Sequence, residues 1–523
     1  MPYTRGVAPF VVVAFALVAG RPPCGTLALR DHPATFAAAL GVGFGDRPDV
    51  ADFADSTLHP LRVHRGSSAT AAQAALVLAA LDDAWALQID GAGNPPPLPD
   101  TVTPAPDDGF DDDGGDARLD VYLSPLAAGV GALTISGGLG VARPVFIVLD
   151  PQTPDDVLVV SAHHEFQHAL QFAVDAHETA MWFESTAVAW EVRAHPETTS
   201  WTELVPPFQQ QPFAPVFTDS TRLSFAGDDT FEYGAALFAL YLDDVHGDGD
   251  GALWRRLWQG SAQPLGGAPD RNEPDWLDVL ADEADVPAVI LDFAGWRALT
   301  GSLSVDGDGP TTALDATADL AGRALRLESL RGEERETTIG EGPFVMGCSV
   351  HSGTAPLGLD VPVRIEASSV AGHDLGISVV VVDRVARTAT RATSSIGSSV
   401  ALDVDVPRGL TLVASICDLS AADADDDPVF APIRLTLSRL DLPAEGEGEG
   451  EGEGEGEGEA ADVRAPRVAI DFGCQAAPVD SPVAGQRRTM GILGLLLGAV
   501  GFGVRGGRAW KRRRLYANRR PVG

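Results

Sequence analysis

The chain has 523 residues, enough for two or three domains, and carries 74 acidic against 37 basic side chains for a net charge of −37. Ten of the basic residues lie from Arg487 onward, so the remainder is strongly acidic and is repelled by nucleic acid. The single lysine, Lys511, leaves no residue for Schiff-base or P-loop chemistry, whereas a hydrophobic content of 45% is enough to build a core.

Residues 1–20 combine Arg5 with an apolar run from Phe10 to Ala19 and small residues near Gly20, which is the grammar of a cleaved signal peptide. The run is shorter than the roughly 20 residues a transmembrane span needs. A lead segment, 21–60, follows. Residues 70–88 place apolar side chains at helical spacing without Gly or Pro and predict a helix. The Pro- and Asp-rich stretch that comes next includes seven Asp residues between Asp107 and Asp120; it predicts a solvated acidic loop, with a Ca2+ site as the alternative. Asp248 and Asp250 give a weaker signal of the same kind, because no downstream bidentate Glu accompanies them.

Leu119–Leu123 and Val145–Leu149 read as strands, the second buried on both faces. Thr153 as N-cap, Pro154 at the first helical position and Asp155 and Asp156 in the first turn predict a long helix reaching about Val174. Further helices are expected over 179–192 and 233–245, around Trp254, and between Trp276 and Leu299.

The long helix contains His164-Glu165-Phe166-Gln167-His168. At 3.6 residues per turn, His164 and His168 project from one face one turn apart and can reach a single metal ion. Glu165 lies beside them, placed to accept a proton from metal-bound water and return it to a leaving amine. The pentapeptide alone is only moderately specific, and two polar residues on a helix surface are the plain alternative. A catalytic zinc needs a third protein ligand and an open position. The metzincin extension fails, because Gln171 and Val174 stand where it requires Gly and His. In the gluzincin arrangement a Glu from the next helix serves, and Glu184 lies 16 positions after His168 in an apolar stretch where an unpaired acid is costly to bury. Glu191 shares its helical face and is the rival, expected to support the site or to be solvated. Tyr233, at a predicted helix start, can donate to the oxyanion formed on a scissile carbonyl, although a packing role fits equally. His163 and His177 read as ordinary core or surface histidines.

These segments follow an order that resembles a bacterial family of secreted metalloproteases well represented in myxobacteria. The resemblance runs from Leu61-Arg62-Val63-His64 through Asp116-Ala117-Arg118-Leu119-Asp120, the histidine motif and Trp182-Phe183-Glu184-Ser185-Thr186-Ala187 to Phe293-Ala294-Gly295-Trp296. It covers about 61–301 and departs from the family pattern at Ser185, where the family carries Gly. It implies a gluzincin-like zincin fold with His164, His168 and Glu184 as Zn2+ ligands and Glu165 as general base. No Gly-x-Met-Glu-Asn signature precedes His164, so endopeptidase is the default.

Beyond Gly301 the hydrophobic period changes to two: Val361, Val363 and Ile365, then Val400, Leu402, Val404 and Val406, then Ile433, Leu435 and Leu437 alternate with polar or small residues. This predicts a β-sandwich over 311–442 with an accessory role, and Cys348 and Cys417 within it are expected to be joined. Glu445 to Glu459 is a strict Glu-Gly alternation with nothing to bury, an extended spacer within 443–465. Residues 466–523 hold Gly473-Cys474, an apolar run from Met490 to Val504 and the basic cluster 511–514. That order resembles the C-terminal sorting signals of myxobacterial surface proteins, which implies processing machinery as a partner and membrane contact through the tail. The expected architecture is therefore an α+β zincin-like domain, 61–302, followed by an all-β sandwich. The expected function is that of an exported, surface-attached or released zinc metallopeptidase acting on peptides; a non-catalytic adhesion protein that keeps the zinc shell for stability is the competing class.

Overall fold

The computed structural model describes Thr26, residues 47–48 and 50 and, with short breaks, 52–99, 114–219, 230–263, 273–310 and 316–440, together with 468–469. The expected signal peptide, Asp107–Asp113, the Glu-Gly spacer, Cys24, Cys474 and the sorting tail lie outside the described residues.

The first sheet has five strands. β1 (Asp52–Asp55) pairs antiparallel with β2 (Leu61–Arg65), which runs parallel to β3 (Leu119–Leu123) and, through it, to β5 (Val145–Leu149). β4 (Ala132–Ser136) is antiparallel to β5 and forms the far edge of the order β1-β2-β3-β5-β4. β3 and β5 are buried along their whole length, as apolar runs covered on both faces must be. Helices α1 (Ala71–Trp85) and α2 (Asp155–Val174) pack against one another, and α2 lies on β4 and β5.

Thr70 and Gln73 form a reciprocal capping box at the start of α1. The helix expected to end near residue 88 instead widens into a π-helical turn, Ala86–Gly91, where the buried Gln88 donates to the carbonyl of His163 at 3.3 Å. At α2 the expected cap is corrected: Pro154 occupies the N-cap position, and no side chain caps the helix. The two acids of the first turn, Asp155 and Asp156, stand as read.

Next come α3 (Ala180–Ala194), a 3-10 turn running into α4 (Val205–Gln209), α5 (Phe231–Gly234), α6 (Ala236–Tyr241), α7 (Ala252–Ser261), α8 (Trp276–Glu283) and α9 (Val286–Trp296). The single helix expected over 233–245 is broken between α5 and α6. At that break a Cβ on Gly234 would lie 2.5 Å from the Leu204 carbonyl, so only glycine allows this approach.

Two further five-stranded sheets follow. One has the order β11-β10-β13-β8-β6, built from β6 (Arg323–Ala324), β8 (Cys348–Thr354), β10 (Leu375–Asp383), β11 (Thr388–Thr393) and β13 (Thr411–Asp418). The other has the order β12-β9-β14-β7-β15, from β7 (Arg335–Ile339), β9 (Val361–Ser369), β12 (Ser399–Val406), β14 (Ile433–Arg439) and β15 (Val468–Ala469). Ile377, Val379, Val381, Leu412 and Ile416 of the first sheet meet Val363, Ile365 and Leu435 of the second in one core. The alternating strands read from sequence are β9, β12 and β14. β10 and β13 escaped that reading because both their faces are covered: Val380, Val382, Val413 and Cys417 point the other way, into the core that contains Ile290 and Phe293 of α9.

Cys348 and Cys417 are cross-strand partners on β8 and β13 and are joined in a disulfide spanning 69 residues of sequence. Replacing both with Ala opens this loop in the unfolded chain and is expected to lower stability by about 2–4 kcal/mol, read as a reduced denaturation midpoint with a somewhat steeper slope as the unfolded chain expands.

Candidate metal centre

The motif helix is buried from Val160 to Phe172 because α1, α3 and the sheet enclose it. His164, Glu165, His168 and Glu184 are each no more than 1% exposed. The structure brings three of the sequence-predicted residues together: the ligand atoms of His164, His168 and Glu184 all lie within 4.8 Å of one another, and no other such group occurs among the described residues. The two Nε2 atoms are 3.0 Å apart, with Glu184 Oε2 3.2 Å from His164 Nε2 and Oε1 3.7 Å from His168 Nε2.

The far nitrogens determine what the near ones can do. His164 Nδ1 is 2.6 Å from Glu191 Oε1, so a ring proton sits there and Nε2 offers its lone pair. His168 Nδ1 is 2.6 Å from Gln171 Oε1. The Gln171 amide is held in that orientation by its nitrogen, which donates at 2.9 Å both to the Phe183 carbonyl and to Thr186 Oγ1. His168 therefore donates through Nδ1, and its Nε2 lone pair also faces inward. The two Nε2 atoms and the Glu184 carboxylate converge on one point. Such a set could hold a metal ion.

Without a metal, a proton fills this role. Burial alone pushes His164 down, but Glu184 and Glu191, hydrogen-bonding to its two nitrogens, outweigh it and raise the imidazole to about 10. Burial likewise pushes Glu184 up, but His168 and His164 outweigh it and lower the carboxyl to about 2.

Glu165 is fixed by the edge strand. Thr134 Oγ1 of β4 lies 2.7 Å from Glu165 Oε2 and 3.0 Å from the Glu165 carbonyl oxygen, while Thr26 Oγ1 donates to Oε2 at 3.1 Å. Oε1 has no hydrogen-bond partner among the described residues. Tyr233, on α5, lies with its ring nearly parallel to that of His164 at a centroid distance of 6.3 Å. Glu191 supports His164 from behind, and Ser185 fits inside α3 with its hydroxyl 3.4 Å from Met181 Sδ.

His163 is buried away from the site; its Nδ1 donates to the Val159 carbonyl, and burial lowers its pKa to about 4. His177 lies beside Arg143. Of the acidic loop, Asp116 pairs with Arg62 and Arg118, and Asp120 with Arg47 and His64, so neither is free for Ca2+. Asp250, just before the Gly251 N-cap of α7, accepts the Ala252 N–H at 2.9 Å.

Gln171, Thr134 and Thr26 were not found from sequence. Gln171 does carry a local signal, since it lies one turn beyond His168 on the same helix and can orient it. The two threonines come from distant segments and carry none. No protein-family model matches the chain, and no curated protein matches it.

Two outcomes follow for metal binding. Calorimetry at pH 7 in buffers of different ionisation enthalpy should show about one proton released per metal ion, because Glu184 and Glu191 raise the His164 imidazole and favour its protonated form until a metal displaces the proton. Gln171→Leu frees the His168 ring and should weaken metal affinity about 10–100-fold with the ligands intact.

Proposed function

We propose that the chain is an exported metallopeptidase that hydrolyses peptide bonds with a zinc ion held by His164, His168 and Glu184. The observation that supports this reading is the convergence of two imidazole Nε2 atoms and the buried Glu184 carboxylate, with a second buried carboxylate, Glu165, that keeps one oxygen unpartnered among the described residues. A purely structural site has no use for Glu165: it adds a buried negative charge that coordinates nothing.

A zinc ion bound there supplies Lewis acidity, which eases deprotonation of water and polarises a carbonyl. The chain's own residues do the rest. Glu165 Oε1 receives the proton of the attacking water, and the same carboxyl then passes it to the amine that leaves. Thr134 holds Oε2, which leaves Oε1 without a partner among the described residues and available for this role. Glu191 and Gln171 keep both imidazoles in the ligating tautomer, and Tyr233, whose ring stacks beside that of His164, is the residue we assign to donate to the developing oxyanion. The disulfide agrees with an oxidising compartment, and the expected leader and sorting tail supply the route out of the cell.

The second reading, a non-catalytic surface protein that keeps the metal for stability, draws on the near-complete burial of all four residues. The two separate on one substitution. Glu165→Gln should retain one metal ion per chain and an unchanged melting transition while peptide cleavage falls by at least about 100-fold. Metal-loaded wild-type protein that cleaves nothing in a diverse peptide library would instead support the structural reading.

A further inference from the structure

α8 begins among buried acids. Asp275, its N-cap, is fully buried, and its Oδ1 accepts the N–H groups of Leu277 at 2.7 Å and Asp278 at 3.0 Å. Those two bonds satisfy the start of the helix. The other oxygen, Oδ2, meets the segment that follows β13: it accepts the Ala424 N–H at 3.0 Å, and the Asp423 side chain hydrogen-bonds to the same carboxyl.

An ionised carboxylate only accepts, so a hydrogen bond between two of them needs a proton. Asp275 and Asp423 therefore share one, since two like charges in contact do not both ionise. The surroundings favour that proton. Glu178, also fully buried, comes from the segment before α3 and accepts the Trp276 N–H at 3.0 Å, which sets a further carboxyl against the start of α8. Asp278 adds another acid on the helix itself, its Oδ2 accepting the Asp275 N–H at 3.4 Å. Asp175, earlier on the segment before α3, accepts the N–H groups of His177 and Gln263, and Arg256 of α7 is engaged by Glu283 in the last turn of α8. No basic side chain among the described residues forms an ion pair with Asp275. Burial, followed by the charge of Glu178 and the bond to Asp423, raises its carboxyl to about 8.

We propose that the proton shared by Asp275 and Asp423 is a latch, which holds the segment after β13 on the start of α8 in acidic and neutral solution and releases it as the solution turns alkaline. Once undocked, the two acids regain ordinary carboxylate acidity. The proton's contribution to docking is therefore complete below the ordinary carboxylate range and is lost as the pH rises through about 8. Release would be felt beyond the loop, because Leu419 and Ala424 are buried in the same core as Trp276 and Leu277. Trp276 in turn stacks on Trp182 of α3 at a centroid distance of 4.6 Å, two residues before Glu184. The latch thus sets how firmly the β region backs the helix that carries Glu184, and it holds whatever the metal centre does.

Hydrogen exchange of the Ala424 amide in the full chain, corrected for the intrinsic rate at each pH, reads the latch directly, because that N–H is bonded to Asp275. Between about pH 6 and pH 9 its protection should fall at least about 10-fold in wild type. Asp423→Asn supplies a donor that needs no titrating proton and should keep the protection level across the range. Asp423→Ala removes the pair altogether and should also give a level profile. Asp423 is only partly buried, so neither change disturbs the core. Level protection in wild type, or a fall as steep in either variant as in wild type, overturns the latch.

Discussion

His164 is held at both ring nitrogens by α3, through Glu184 at Nε2 and Glu191 at Nδ1, and this grip ties α2 to α3 at the site. The two acids stand seven residues apart, two helical turns, so a single face of α3 presents both to one imidazole. Together with Glu165 they put three carboxylates inside a region where neither Glu165 nor Glu184 pairs with an arginine among the described residues. In such surroundings an uncompensated carboxylate costs several kcal/mol. A divalent ion held where the imidazoles meet would neutralise the cluster and so couple metal binding to the pairing of the two helices.

What was legible in the sequence follows from distance along the chain. The one-turn spacing of His164 and His168 is a local property of a helix, and so is the shared face of Glu184 and Glu191. Those residues lie where helical geometry places them. The hydrogen-bonded support does not. Thr134 sits on a five-residue strand, ALTIS, whose outward edge and inward face are defined only by β5 and α2. Thr26 reaches the site from before the first sheet strand. The cap of α2 differs because a Thr-Pro-Asp-Asp sequence is compatible with either Thr153 or Pro154 at the boundary, and the helix begins after Pro154.

The same logic explains the β region. Alternation was visible in β9, β12 and β14, whose sheet has one buried face, and hidden in β10 and β13, whose sheet has two. Val379 and Val381 point to the sandwich interior, whereas Val380 and Val382 point to α9. A period-two pattern cannot appear when both phases are apolar.

That doubly covered sheet also bears on the site. α9 rests on β10, with a Cβ on Gly295 able to come only 2.9 Å from Ser378 Oγ, so the helix lies close on the sheet. Just past its end, Arg297 is buried with its guanidinium donating to Gln209 Oε1 and the Phe208 carbonyl and lying 4.3 Å from the Phe208 ring centre. Burial pushes this arginine down to about 9, a cost its hydrogen bonds and ring contacts offset. Phe208 in turn packs on Phe231, two residues before Tyr233, and the Gly234 backbone presses on Leu204 in the same place. The position of Tyr233 over His164 is thus fixed by a continuous run of packed groups that begins on the sandwich face. The β region is therefore a support for the metal centre as well as an appendage to it, since loosening β10 from α9 removes the backing of the turn that carries Tyr233.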